Sequence, residues 1–121
     1  MLKKSLFFIV VLLLSTTILH AQNSKFTLRG EIKGMTSGHL LFGYTDNNEQ
    51  YVQKNVPVKN GKFQLEGMIS EPTNMSLRLD STVRYMDDPN LTDFWIEASD
   101  MQLEIVVGKF KEFKLSGSKT N

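Results

Sequence analysis

The chain has 121 residues, a formal net charge of +1 and no cysteine. That length allows one domain beyond a leader segment, and a near-neutral chain without a basic cluster lacks the electrostatic footprint of a nucleic-acid binder. The missing cysteine excludes disulfide staples, thiol redox chemistry and cysteine-built zinc sites, so stability has to come from packing.

The N-terminus reads as an export signal. Lys3 and Lys4 precede an unbroken apolar run from Leu6 to Leu14, and Leu19-His20-Ala21 offers a small residue for signal peptidase. The run is only nine residues long, short of the roughly 20 that a membrane-spanning helix needs. No cysteine follows it, so lipid attachment at a new N-terminal cysteine is excluded. These features predict a cleaved signal peptide over 1–21 and a mature domain over 22–121 outside the cytoplasm, with no membrane span after cleavage. Losing Lys3 and Lys4 takes the formal charge from +1 to −1.

Beyond the signal, the apolar period is two. Phe26, Leu28 and Ile32 alternate with Thr27, Arg29, Glu31 and Lys33, the pattern of a half-buried strand. Gly34 and Gly38 bracket a turn, after which Leu40, Phe42 and Tyr44 continue the alternation up to the polar loop Asp46-Asn47-Asn48-Glu49. Val52, Val56 and Val58 form a third set, with Lys54 as the exception on their face. Asn60-Gly61 then separates them from Phe63, Leu65 and Ile69. An Asn-Gly pair accepts the positive φ angles of a type I′ turn, so residues 51–69 read as a β-hairpin that Pro72 terminates.

Met75, Leu77 and Leu79 follow as another alternating set. Ser81 to Thr92 has no period and is predicted to be the longest loop. Phe94, Ile96 and Ala98 read as a strand, Ser99-Asp100 as a tight turn, and Leu103, Ile105 and Val107 as its hairpin partner. Gly108 breaks that strand, and Phe113 and Leu115 mark a short last one. About eight short strands with turns at roughly ten-residue intervals predict an all-β, antiparallel β-sandwich.

Few residues suggest chemistry. His20 leaves with the signal, and His39 alone supports neither a serine triad nor a histidine-built metal site. Asp46-Asn47-Asn48-Glu49 and Asp87-Asp88 with Asp93 are oxygen-rich, but they lack the spacing and central glycine of a calcium loop, and such residues populate turns for conformational reasons. Glu97 and Glu104 would face each other across the predicted hairpin as ordinary surface acids. The sequence thus predicts no catalytic residue, metal or cofactor. Trp95 is different: with Phe94 and Ile96 inward, it points outward, where tryptophan serves recognition. Trp95, Tyr85 and Tyr44 are the candidate contacts to a ligand or partner.

The order of these motifs resembles a known family. Phe26-Thr27-Leu28-Arg29-Gly30-Glu31-Ile32 is followed by Gly38-His39-Leu40-Leu41-Phe42-Gly43-Tyr44. Then come Asn60-Gly61-Lys62-Phe63 with Gly67, Glu71-Pro72, Phe94-Trp95-Ile96-Glu97 and Leu115-Ser116-Gly117-Ser118. This is similar to the domain of unknown function, family 4369, that commonly precedes a thioredoxin-like (AhpC/TSA-type) domain in envelope thiol–disulfide oxidoreductases of Gram-negative bacteria. The resemblance implies a non-catalytic accessory or interaction domain in the periplasm or cell envelope, without the redox domain itself. A thioredoxin-like domain or another envelope protein is then the expected partner. A small-ligand or carbohydrate-binding module using exposed aromatics is the alternative.

Overall fold

Alternation by two governs the structure as it does the sequence. A computed structural model describes residues 24–79, 82 and 87–117. Among them are eight strands: β1 (Lys25–Lys33), β2 (Ser37–Thr45), β3 (Tyr51–Lys59), β4 (Lys62–Met68), β5 (Thr73–Arg78), β6 (Leu91–Ile96), β7 (Asp100–Val106) and β8 (Lys114–Ser116). A 3₁₀ turn, Phe110–Glu112, separates β7 from β8. The predicted signal peptide lies outside the described residues. No helix among the described residues is long and apolar enough to cross a membrane.

The strands form one curled sheet in the order β6-β5-β2-β3-β4-β1-β7-β8. Its fold line is the predicted Asn-Gly hairpin. Asn60 (φ 54°) and Gly61 (φ 71°) supply the left-handed backbone of the turn. Beyond it β3 and β4 pair only at Lys59 and Lys62 and then diverge, which lets the two four-stranded halves face each other. Their inward side chains interdigitate: Phe42 meets Phe63 at 5.7 Å between ring centroids, and Phe94 meets Phe113 at 5.4 Å. Phe26, Leu28, Leu40, Phe42, Met75, Leu77 and Ile96 are fully buried in this core.

The core needs glycine at two positions. A Cβ on Gly67 would stand 2.2 Å from the Tyr44 hydroxyl and 2.9 Å from the Phe26 ring. A Cβ on Gly30 would stand 2.0 Å from the Phe63 ring, so the ring lies flat over the backbone of β1.

One sequence-based expectation is corrected here. Ser99-Asp100 is not a hairpin turn. β6 pairs with β5, whereas β7 pairs with β1 and β8, so residues 97–99 carry the chain from one half to the other. Glu97 consequently lies in the crossover and Glu104 on β7, so the two do not face each other across a hairpin. The crossover also makes β1 and β7 parallel, the one exception to an otherwise antiparallel set of pairings among the described strands. The structure also adds to the core Phe110, which no period singled out. It is fully buried because the 3₁₀ turn folds it under β6, where its N–H donates to the Pro89 carbonyl at 2.9 Å.

Candidate functional site

Where the polar loops and candidate residues fall follows from the fold. Asp46 Oδ1 accepts the backbone N–H groups of Asn48 and Gln50, each at 2.9 Å. Asp88 Oδ1 accepts the N–H of Asn90 at 2.9 Å. Both carboxylates therefore cap their own turns, as Asp residues in loops do. His39 stands exposed on β2 opposite Pro57.

Of the three predicted contact aromatics, Trp95 lies on the surface. Its neighbours Phe94 and Ile96 are buried, and Trp95 is 47 % exposed on the outer face of β6. Tyr44 turns the other way and leaves the surface. It is 3 % exposed and packs edge-on against Phe26 at 5.2 Å, because its position on β2 has the inward parity of Leu40 and Phe42. Tyr85 lies outside the described residues.

The fold supplies a different partner for Trp95. Register places Gln53, Gly43, Ser76 and Asp93 in one outward row across β3, β2, β5 and β6, with Asn74 and Trp95 paired in the next row. Tyr51 lies at the start of β3 on this same face and is 68 % exposed. A Cβ on Gly43 would sit 2.1 Å from the Tyr51 hydroxyl and 2.8 Å from Ser76 Oγ. An upright ring would carry its hydroxyl clear of the sheet, so Tyr51 lies down across β2 in the space that Gly43 leaves. Between the two rings, Asn74 Nδ2 donates to Asp93 Oδ2 at 3.0 Å and Ser76 Oγ donates to the Gly43 carbonyl at 3.4 Å. This face is a polar floor flanked by two aromatic side chains.

The opposite outer face is charged and hollow. A concavity of about 580 Å³ lies between the end of β3 and the outer sides of β4, β1 and β7. One row across it reads Gln64, Arg29, Gln102, and the next reads Lys62, Glu31, Glu104, Lys114. Glu31 and Glu104 are direct neighbours in the parallel register and also line a smaller adjoining hollow of about 200 Å³. None of these charges forms an ion pair with another. Among the described residues the one ion pair is Lys25–Glu66, at 3.2 Å.

The family model for the Domain of unknown function (DUF4369) matches residues 26–121, which takes in every strand from the second residue of β1 onward. The chain belongs to the DUF4369 family. Neither curated proteins nor solved structures give a match. As a DUF4369 member without cysteine it contributes no thiol of its own. Its two outer faces differ: one carries two exposed aromatic side chains beside hydrogen-bonding groups, the other charges without an ion partner among the described residues.

The sequence contained the parity of Tyr51, Gly43, Asn74, Ser76 and Asp93, all outward. It did not contain the neighbour order β6-β5-β2-β3 that brings them to one surface.

Proposed function

We propose that this chain is an exported, non-catalytic accessory domain that acts by docking on another protein of the cell envelope. The contact surface is the concave outer face of β4, β1, β7 and β8. The observation that carries this reading is the row Lys62, Glu31, Glu104, Lys114, four charges that find no ion partner among the described residues. Adjacent like charges such as Glu31 and Glu104 weaken a sheet, and a complementary partner turns that cost into orientation and specificity. Arg29, between Gln64 and Gln102, adds a planar fork suited to a carboxylate. The resemblance to domains that precede thioredoxin-like ones makes a thioredoxin-like domain the partner proposed, and the N-terminal signal pattern supports meeting it outside the cytoplasm.

Site-specific photo-cross-linking from position 102 in intact cells tests this. The expected product joins the chain to a thioredoxin-like envelope protein, identified by mass spectrometry. The joint Glu31→Lys and Glu104→Lys substitutions should abolish it. A cytoplasmic location for the chain, or cross-linking indifferent to charge reversal, would refute the reading.

A further inference from the structure

The aromatic face belongs to the other half of the fold and is not absorbed by charge-based docking. We propose that the outer face of β6, β5, β2 and β3 binds a neutral carbohydrate chain, with sugar rings stacked on Tyr51 and Trp95. Three observations carry this. Tyr51 is laid down over Gly43 while 68 % exposed, which presents a ring along the sheet rather than edge-on into solvent. Trp95 stands half-exposed on β6, beyond the β5 residues that the Tyr51 phenol approaches. Between the rings lie an amide, a carboxylate and a hydroxyl, those of Asn74, Asp93 and Ser76, with Asn74 and Asp93 fixed by their mutual hydrogen bond.

This composition matches a pyranose on both of its surfaces. A sugar ring offers an apolar C–H face that packs on an aromatic ring and a hydroxyl rim that needs donors and acceptors. The carboxylate of Asp93 can accept from two adjacent hydroxyls, and the amide of Asn74 both donates and accepts. A protein-docking patch would instead be a contiguous apolar core with a polar rim, and here the polar groups lie between the aromatics. The residues between the rings contain no cation to recruit an acidic sugar, Arg78 standing one row further along β5, and the one acid between them is already hydrogen-bonded. An open sheet face suits an extended chain better than a small molecule, which is usually held in an enclosing cleft.

The chain has a single tryptophan, so its intrinsic fluorescence reports on this face alone. Purified protein would be titrated with cellohexaose, xylohexaose, chitohexaose and maltohexaose, with affinities also taken from calorimetry. At least one hexaose should shift the Trp95 emission, and Trp95→Ala and Tyr51→Ala should each weaken calorimetric binding by about tenfold. Gly43→Ala is the discriminating variant. The atoms nearest its new Cβ are the tip of Tyr51 and the Ser76 hydroxyl, both able to rotate away, so the melting temperature should hold while the Tyr51 ring is lifted and binding falls. The joint Glu31→Lys and Glu104→Lys substitutions should leave sugar binding unchanged, which separates this site from the docking face. Absence of binding to every hexaose overturns the proposal, as does binding that survives all three aromatic-face variants.

Discussion

Lys54 donates its ammonium to the backbone carbonyl of Glu66. The two residues sit on β3 and β4, the strands that part company after the Asn60-Gly61 turn, so this hydrogen bond spans the opening where the sheet folds over. The same ammonium lies 5.8 Å from the centroid of the Tyr44 ring. The lysine that interrupts an otherwise apolar strand face is therefore a tie between the two halves.

Lys54→Met keeps the aliphatic stem but removes the donor, and it should destabilise the fold by about 1 kcal/mol because the bond is charge-assisted yet partly solvated. Chemical denaturation reads this directly. An unchanged midpoint would show that the tie carries no net stability.

Gly30→Ala should be far more damaging than a surface glycine replacement. Three atoms of the Phe63 ring lie within 2.6 Å of the added Cβ, and the ring is itself held by Phe42. Overpacking of this kind costs about 1–3 kcal/mol or more. Phe63→Ala alone should cost about 3–5 kcal/mol as a core truncation. The double variant should be less unstable than the sum, since the clash disappears with the ring. Strict additivity in urea unfolding would contradict the packing described.

Tyr44→Ala and Trp95→Ala separate the core from the surface. Tyr44 is enclosed against Phe26, so its truncation should cost about 3–5 kcal/mol. Trp95, half-exposed, should cost about 1 kcal/mol or less, the range of most surface substitutions away from special features. Thermal melts of the two variants side by side would show the contrast, and a reversed order would place the indole in the core.

Gly61→Ala tests the fold line. With φ at 71° and the Ile32 carbonyl 3.2 Å from the new Cβ, the substitution should cost about 1–2 kcal/mol of left-handed strain. A neutral midpoint would mean that the turn relaxes without disturbing either half.

Much of this fold was legible because each strand has one wet and one dry side. Phe26 and Leu28, Leu40 and Phe42, Val56 and Val58, Phe63 and Leu65 all point as their parity dictates. Tyr44 is instructive: its parity with Phe42 already assigned it to the core, and treating it as a surface contact set aromatic character above register. Long-range order was not legible. Nothing local distinguishes residues 97–99, which cross between the halves, from a tight turn, so the pairing of β7 with β1 had no sequence signal. The candidate faces inherit that limit. Tyr51 and Trp95 are both outward by parity, but only the intervening strands β2 and β5 make them neighbours. Gly30 and Gly43 were invisible as cradles because the rings they receive come from other strands.

The parallel pairing of β1 with β7 has a kinetic consequence. Lys25–Lys33 is made early, yet one of its two flanking neighbours, Asp100–Val106, comes almost from the other end of the domain. Closing so long a loop is entropically slow compared with forming hairpins. During synthesis the Asn60-Gly61 turn can form early, but the opening segment must wait, unsheltered on one side, for Asp100–Val106 to emerge. The domain therefore reaches its native state only after nearly all of it has left the ribosome or a translocation channel, and a version cut short before Asp100 should remain unable to bury Leu28 and Ile32.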